Sequence, residues 1–335
     1  MQIPDFSKLH VGVVGDLIAD HYLVTQPRSL SREAPVMVLR WQSEHVQAGG
    51  AANVARNVRA LGCATRLHGA IGRDARGREL AELLDGYRID CLGLESVPGW
   101  ATPTKMRIVA AEPRRSLQQV LRVDREPAGA APAEVRARVR ERLVSMTSST
   151  DALIVSDYDY GMVDAELGAV CARLAASGHV VVLDPRSSIE GWSGVTAMTP
   201  NLGELASFTG RRMDQLEDLR DVARAAAELV ERVSMRWLLV TRGNKGMALF
   251  GEGCPAQGIV VEASGTGNVT DVTGAGDTAA AVFALSLAAG ADAPQAMALA
   301  NAASGVVVME QGTATCSTEH LRAAFPLAPV PVRHP

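Results

Sequence analysis

The chain has 335 residues, and its 33 Lys and Arg against 37 Asp and Glu give a formal net charge of −4. This balance argues against a general nucleic-acid surface, which needs a basic excess to neutralise phosphates. Hydrophobic residues make up 47% of the chain, too many for a disordered protein, yet no apolar run is long enough to cross a bilayer. The N-terminus lacks a signal-peptide pattern, and the five widely spaced cysteines are typical of reduced thiols. We therefore expect a cytoplasmic α/β protein with no membrane partner.

Short apolar runs alternate with helical patterns along most of the chain. Val11–Val14 predicts a strand, and Ala51–Leu61 predicts a helix that ends at Gly62. A strand over Thr65–Ile71 and a helix over Asp74–Leu84 follow. Later strands are predicted over Ala152–Val155, Val180–Leu183, Val195–Met198 and Trp237–Val240, and later helices over Val163–Ala176, Leu202–Phe208, Leu216–Val233 and the segment after Ala275. This alternation predicts a mainly parallel sheet covered on both faces, a three-layer α/β/α fold.

Two segments interrupt the alternation. Residues 17–44, with Pro27 and Pro35, and residues 102–124 carry extended patterns that we interpret as strands of a small β-lid. The alternative is an antiparallel edge of the main sheet. Residues 124–132 resemble a linker, but the composition does not change after them, so we expect one domain over residues 1–335 with an inserted lid. The Pro-rich C-terminal tail is expected to be loose.

The most informative motif is Thr273-Gly-Ala-Gly-Asp277, directly before a strong helix-forming run. The small residues Gly274, Ala275 and Gly276 let backbone N–H groups converge at a helix N-terminus, where unpaired donors and the helix dipole bind an anion. Asp277, in the first turn, would be ionised there and could accept the proton of a hydroxyl that attacks a phosphoryl group. Taken alone, the motif could also be a turn whose Asp stabilises the helix start.

The run Asp271-Val-Thr-Gly-Ala-Gly-Asp277 resembles the C-terminal signature of the ribokinase-like (PfkB) family of sugar kinases. The run from Gly49 to Gly62 resembles the di-glycine signature of the same family, and the resemblance extends from about Val11 to Gly312. It implies a ribokinase-like fold with ATP as phosphoryl donor. It also implies that Asp277 is the catalytic base and that the Gly274–Gly276 backbone is the anion hole.

The same resemblance implies a set of sugar-binding residues. An Asp after the first strand, Asp20 in preference to Asp16, would accept hydrogen bonds from sugar hydroxyls. Gly49, Gly50 and Asn53 would form the sugar-facing floor, because glycine permits close backbone approach. Asn53 taken singly could instead cap a helix.

On the nucleotide side, Thr199-Pro-Asn201-Leu-Gly-Glu204 resembles the family's Asn-x-x-Glu motif, which organises Mg²⁺ and its waters. Asn201 and Glu204 would share one helix face, and a single Glu is adequate because Mg²⁺ keeps most of its waters. The alternative is a turn with an ordinary capping Glu. Further residues implied along the nucleotide are Thr241, Gly243, Lys245, Gly246, Asp271, Thr273 and Asn301, the last either near the base or on a helix surface. The resemblance leaves open a monovalent cation near Asp271.

A narrower resemblance lies in Ser29-Leu-Ser-Arg-Glu33-Ala-Pro35-Val-Met-Val38, which is similar to the lid of bacterial heptose 7-phosphate kinases. Those enzymes phosphorylate the C1 hydroxyl of D-glycero-β-D-manno-heptose 7-phosphate on the route to ADP-heptose. The subgroup usually has Pro where this chain has Arg32 and Met37, and Arg where it has His21. We expect the stand-alone kinase type, without the linked nucleotidyltransferase domain.

A phosphorylated sugar would require basic partners for its distal phosphate. The candidates are Lys105, Arg107 and Arg186, each of which could also be a solvated surface charge. The run Val155-Ser-Asp157-Tyr158 also resembles the heptose kinases and adds Asp157 to the substrate-binding candidates.

Three hypotheses follow for the function. The first is an ATP-dependent kinase for heptose 7-phosphate, and the second is the same chemistry on another sugar, sugar phosphate, 2-keto-3-deoxy acid or nucleoside. The third is a non-catalytic sugar or nucleotide sensor, against which the intact Asp277 and its glycines argue. Because lid strands of two subunits often pair in the family, we also expect a homodimer.

Overall fold

A ten-stranded sheet forms the centre of the computed structural model, which describes residues 2–111, 117–146, 149–265 and 269–333. The strands in chain order are β1 (His10–Gly15), β2 (Leu17–Leu30), β3 (Met37–Gly50), β4 (Ala64–Gly72), β5 (Asp90–Val97), β6 (Thr104–Ala110), β7 (Gln118–Arg125), β8 (Ala152–Ser156), β9 (Val180–Asp184), β10 (Ala197–Met198), β11 (Trp237–Thr241), β12 (Met247–Gly251), β13 (Ile259–Val261) and β14 (Val332–Arg333). The central sheet has the order β14-β13-β12-β11-β10-β9-β8-β1-β4-β5. Neighbours from β5 to β11 are parallel, and β12, β13 and β14 extend the sheet antiparallel.

Helices cover both faces of this sheet. They are α1 (Ala51–Ala60), α2 (Ala75–Gly86), α3 (Ala133–Met146), α4 (Ala165–Ala176), α5 (Leu202–Phe208), α6 (Leu219–Val233), α7 (Ala275–Ala288), α8 (Ala293–Val307) and α9 (Thr318–Ala324). One core cluster joins α1, α2, α7, α8 and α9 to the sheet, and a second joins α3, α4, α5 and α6. The central strands are apolar throughout because both of their faces are buried. The predicted three-layer α/β/α fold is confirmed. None of the helices in the described residues is both long and apolar enough to cross a membrane.

The lid segments form a separate four-stranded sheet, with the order β3-β2-β6-β7, and not an edge of the main sheet. β2 is antiparallel to β3 and parallel to β6, and β7 is antiparallel to β6. Residues 112–116 of the second lid segment lie outside the described residues. β2 begins after a single residue, Asp16, at the end of the central strand β1. The lid is therefore a direct continuation of the core of the protein.

Alternation along the lid strands sorts their side chains onto two faces. Asp20 pairs with Gln47 and Lys105, and Tyr22 pairs with His45 and Arg107. Arg107 in turn pairs with Arg122. We call the face with these side chains the inner face; it comprises Asp20, Tyr22, His45, Gln47, Lys105, Arg107 and Arg122. His21 lies on the opposite face, where its ring contacts Glu44 and, from α2, Arg76.

Several predicted boundaries differ from the structure. α4 and α6 begin later than predicted because Asp164 and Asp218 cap them, each accepting a bond from a backbone N–H of the first turn. The tail is not loose throughout, since Val332–Arg333 pairs with β13. β5, α3, β12 and β13 were not predicted at all.

Candidate active site

The candidate site lies in a cleft at the carboxyl ends of the central strands. β1 ends at Gly15, β8 at Ser156 and β9 at Asp184, and open α/β sheets bind ligands outside such strand ends. A cavity of about 130 Å³ there is lined by Asp157, Tyr158, Asp184, Pro185, Arg186, Thr199, Asn201, Glu204, Thr241, Gly274, Gly276 and Asp277. The structure thus brings together residues that the sequence analysis assigned to the base, the anion hole, the metal and the nucleotide.

α7 begins in a backbone conformation that favours glycine. Gly274, its N-cap residue, has φ +80°, and a Cβ there would lie 2.7 Å from Asn53 Nδ2. A Cβ on Gly276 would meet no heavy atom of the described residues within 4 Å, so the space beside the first turn is open. First-turn amides have no intrahelical acceptor and carry the positive end of the helix dipole. Gly274, Ala275 and Gly276 therefore remain the candidates for an anion-binding backbone.

Asp277 is the third residue of α7 and only 3% exposed. Asn53 Nδ2 donates a hydrogen bond to its Oδ2 at 2.7 Å, and the Tyr158 hydroxyl donates to its Oδ1 at 2.9 Å. Burial raises the pKa of Asp277 to about 6, and the two hydrogen bonds oppose that rise. Such a carboxyl group is largely ionised at neutral pH yet basic enough to accept a proton.

The di-glycine segment turns the chain from β3 into α1. Gly50 is the N-cap residue of α1 with φ +58°, and a Cβ there would clash with the carbonyl oxygen of Asp16. A Cβ on Gly49 would clash with the carboxylate of Asp20. Asn53 lies inside α1, so the alternative that it caps the helix is wrong. The segment brings Asn53 and Asp20 to the same cleft.

Asp16 has a different environment from the one expected of a sugar ligand. Its Oδ2 accepts bonds from the backbone N–H groups of Tyr158 and Tyr160, and its Oδ1 accepts one from Met162. Burial raises the pKa of Asp16 to about 6. This carboxylate fixes the loop after β8, so the preference for Asp20 as the sugar ligand stays a prediction.

Asp20 forms a buried ion pair with Arg107 on the inner face of the lid. Burial raises the pKa of Asp20, although Arg107 opposes the rise. Lys105 lies 4.9 Å from the ring centre of Tyr158, a cation–π contact. Burial lowers the pKa of Lys105. Neither cation is a simple solvated surface charge, because each contacts a residue of the cleft.

Two cavities border the inner face. One of about 580 Å³ is lined by Lys105, Tyr158 and Arg186, among others, and one of about 520 Å³ by Tyr22, Arg107 and Asp271 among others. Arg122 lines both. Its guanidinium pairs with Asp124 at 2.9 Å, and half of its side chain is exposed. Arg122 thus joins Lys105 and Arg107, the two of the three expected basic residues that lie on the inner face.

The Asn-x-x-Glu motif forms a helix cap. Asn201 Oδ1 accepts a bond from the Glu204 N–H at 3.0 Å, and Glu204 Oε2 accepts one from the Asn201 N–H at 2.8 Å. The turn-and-cap alternative therefore describes the local structure. Glu204 Oε1 faces Arg186 at 3.2 Å, and burial raises the pKa of Glu204. Glu204 can still serve a metal through Oε1 if the exposed Arg186 side chain moves aside.

Two further carboxyl groups lie near Glu204. Asp157 accepts bonds from the backbone N–H groups of Asp159 and Arg186, so it braces two loops. Asp184 accepts a bond from the Thr199 hydroxyl at 2.7 Å. Burial, and then the charge of Asp277, raises the pKa of Asp184 well above its usual range. In the part of the chain that the structure describes, no group of three or more His, Cys, Asp or Glu side chains could hold a metal ion directly.

Several predicted nucleotide residues lie at the end of β11 and just after it. Thr241 lines the 130 Å³ cavity, and the next residues form a tight turn over Gly243–Lys245. Gly246 has φ +79°, and a Cβ there would clash with the carbonyl of Val261. Asn301 is buried and donates to the Glu262 carbonyl at 2.9 Å, so its helix-surface alternative is wrong.

The segment before α7 is fixed by Asp271. Its Oδ1 accepts bonds from the N–H and the hydroxyl of Thr273 at 2.9 and 2.7 Å, and its Oδ2 accepts one from the Gly312 N–H at 3.1 Å. The carboxylate therefore ties the loop before α7 to the segment after α8. Residues 266–268, just before this segment, lie outside the described residues.

Three residues of the cleft were not among the sequence candidates: Tyr158, Asp184 and Arg122. A signal existed for the first two, because Asp184 directly follows one predicted strand and Tyr158 lies three residues after another, at the ligand-binding edge. Arg122 had no comparable signal, since its position depends on the pairing of β7 with β6.

Comparison with known proteins gives consistent results. Residues 8–320 match the family described as pfkB family carbohydrate kinase. The bifunctional protein HldE of Edwardsiella ictaluri is 37% identical over 326 residues, which cover 96% of this chain and 65% of that protein. The HldE protein of Methylococcus capsulatus is 38% identical over 333 residues, 97% of this chain and 66% of its own length. The chain thus spans about two thirds of the curated relatives that it matches.

Solved structures share the fold. Phosphofructokinase-2 from Escherichia coli in complex with potassium gives a TM-score of 0.76 at 20% identity, covering 95% of this chain and 98% of that one. Ribokinase from Arabidopsis thaliana with ribose and ATP gives a TM-score of 0.71 at 22% identity, with the same coverage.

Proposed function

The chain belongs to the pfkB family of carbohydrate kinases, and we propose that it transfers the γ-phosphate of ATP to the C1 hydroxyl of D-glycero-β-D-manno-heptose 7-phosphate. The family assignment makes it an ATP-dependent kinase that acts on a hydroxyl group. The choice of acceptor is supported by the lid segment from Ser29 to Val38 and by the similarity to HldE proteins over 96% of the chain.

The observation that carries the proposal is Asp277, buried at the start of α7 beside the open space at Gly276. In the transfer, the sugar oxygen forms a bond to the γ-phosphorus while the bond between that phosphorus and the β–γ bridging oxygen breaks, and ADP leaves. Asp277 accepts the hydroxyl proton. The first-turn amides of α7 stabilise the negative charge on the phosphoryl oxygens in this proposal.

The residues present fit Mg²⁺ bound mainly through water. Glu204 supplies one carboxylate oxygen, with Asn201 beside it, and Asp277 adds negative charge at the same small cavity, which Asp184 also lines. When bound, Mg²⁺ would neutralise charge on the ATP phosphates. The described residues give no separate support for a monovalent cation at Asp271, because its carboxylate already accepts three hydrogen bonds.

The charges of the inner face favour a phosphorylated acceptor over a neutral sugar. Lys105, Arg107 and Arg122 are neighbours across β6 and β7; Arg107 pairs with the buried Asp20, and Arg122 pairs with Asp124. A phosphate near Lys105 and Arg122 would gain charge-assisted hydrogen bonds. His21, which departs from the heptose kinase pattern, lies on the other face of the lid, so that departure leaves the inner face unchanged.

A panel of acceptors tests this proposal. With Mg·ATP, we expect the highest kcat/KM for heptose 7-phosphate against fructose 6-phosphate, ribose, 2-keto-3-deoxygluconate and adenosine, with ³¹P NMR locating the new phosphate on C1. Arg122→Gln should raise KM for the phosphorylated acceptor by about 10-fold, since a hydrogen bond between charged groups is worth about 1.5 kcal/mol or more. Arg28→Gln, at an exposed arginine of the same sheet, is the matched control. Better turnover of a neutral sugar, or an unchanged KM in Arg122→Gln, would contradict the proposal.

We also propose that two copies of the chain pair through their lids. β7 is an exposed edge strand, and apolar side chains of the lid are open to solvent, among them Trp41 at 60% and Leu121 at 54% exposure. Light scattering should give twice the mass of the 35.3 kDa chain, and Leu121→Lys should lower it toward one chain. Leu327→Lys, at an exposed leucine outside the lid, should not. A single-chain mass for the unmodified protein at micromolar concentration would refute pairing.

A further inference from the structure

The Tyr158 hydroxyl contacts the proposed base, but the phosphoryl-transfer reaction described above assigns it no role. It donates a hydrogen bond to Asp277 Oδ1 at 2.9 Å, on the carboxylate oxygen opposite the one that Asn53 binds. Burial raises the pKa of Tyr158 well above its usual range, so the phenol keeps its proton and remains a donor. The two donors together define one orientation of the Asp277 carboxylate.

The backbone and the ring of Tyr158 also make specific contacts. Its backbone N–H donates to the buried carboxylate of Asp16, which also anchors Tyr160 and Met162 of the same loop. On the lid side, the Lys105 ammonium lies 4.9 Å from its ring centre. These two contacts restrain the backbone and the ring of Tyr158, and with them the direction of its hydroxyl.

We propose that Tyr158 is a positioning residue for the transfer: its hydroxyl orients the Asp277 carboxylate and favours the ionised form that accepts the sugar proton. The inference rests on the proposed role of Asp277 as the base. A hydrogen bond to the charged form of an acid stabilises that form. A carboxylate oxygen has a second lone pair, so Oδ1 or Oδ2 can accept the sugar proton while these bonds persist.

Other charged groups face Asp277 and set the background for this effect. Asp20 from β2 favours its protonated form, and Lys105 from β6 favours its ionised form. The charge of Asp277 in turn helps to raise the pKa of Asp184 from β9. Asn53 from α1 donates to the opposite oxygen. Removing the Tyr158 hydroxyl alone leaves all four in place, so the change in Asp277 isolates the phenol.

A carbon-13 NMR titration of aspartate carboxyl groups in the substrate-free protein tests the inference. The Asp277 resonance is identified by its loss in Asp277→Asn. In Tyr158→Phe, which keeps the ring beside Lys105, the titration midpoint of Asp277 should rise by about one pH unit, within the range of one hydrogen bond to a charged group. Tyr160→Phe, in the same loop but without a bond to Asp277, should leave the midpoint in place.

Kinetics provide the second arm. In Tyr158→Phe, the low-pH limb of the kcat/KM profile for the best acceptor should shift to higher pH by the same amount. At a given pH on that limb, kcat/KM should therefore fall about tenfold. A further measurement does not depend on the folding of the variant. In the unmodified protein, the Tyr158 Cζ resonance should shift at the pH of the Asp277 midpoint, because the hydroxyl donates to that carboxylate. An unmoved Asp277 midpoint in folded Tyr158→Phe, or a Tyr158 resonance that ignores Asp277, would overturn the inference. Because the NMR arm uses no substrate, its result stands apart from the identity of the acceptor.

Discussion

Asp277→Asn should lower kcat by about 10²- to 10⁴-fold, the range that a positioned general base contributes. The amide nearly preserves the shape of the side chain but cannot accept the hydroxyl proton. Binding of ATP should persist, because the first-turn amides of α7 are backbone groups. The measurement is steady-state turnover together with nucleotide affinity by calorimetry.

The matched control is Asp221→Asn. Asp221 is likewise the third residue of its helix, α6, but pairs with Arg224 on the surface, away from the cleft. It should change kcat less than twofold and stability by only a few tenths of a kcal/mol. Turnover by Asp277→Asn at the unmodified rate would remove the base from the proposed mechanism.

Arg107→Met should cost about 3–5 kcal/mol in the free energy of unfolding, because it leaves Asp20 buried without its cation. Asp20 is 3% exposed and Arg107 8% exposed, so the pair is buried. The double variant Arg107→Met with Asp20→Asn should recover a large part of the loss, since an amide is cheaper to bury than a charge. Urea denaturation measures all three proteins.

The pH dependence of this loss has a definite sign. Burial already raises the pKa of Asp20, and loss of Arg107 raises it further, so the folded state binds more protons than the unfolded state. The stability of Arg107→Met should therefore fall as pH rises through the pKa of Asp20. Arg125→Met, at an arginine of the same sheet with 61% of its side chain exposed, should cost under about 0.5 kcal/mol. A similar loss in both variants would mean that the buried pair has no special role.

The sequence predicts those parts of the fold that depend on local patterns. Val11–Val14 and the glycine-rich start of α7 carry their signals within a few residues, and both were found in place. α3 was missed although Val135, Val139 and Leu143 recur at helical spacing, because the adjoining linker-like residues obscured its start. β12 and β13 are short antiparallel strands, and their few apolar residues do not distinguish a strand from a buried loop.

The site was less accessible to sequence reasoning, for a physical reason. Tyr158 and Asp277 are 119 positions apart, and their bond depends on how β8 and α7 pack. Asp16 and Asp20 are both acids after one strand, but only the three-dimensional path of the loop after β8 shows which carboxylate has its acceptor sites taken. Residue type therefore indicated the chemistry, and packing decided the roles.

Asp16, the residue between β1 and β2, also constrains how such a protein can diversify. Its carbonyl accepts the Ala51 N–H at the start of α1, its carboxylate holds the Tyr158 loop, and its backbone leads into the lid. A substitution there would disturb three parts of the cleft at once. Evolution of new acceptor preferences is consequently expected at outlying lid positions such as Arg122, where one side chain can change while the catalytic geometry is inherited intact.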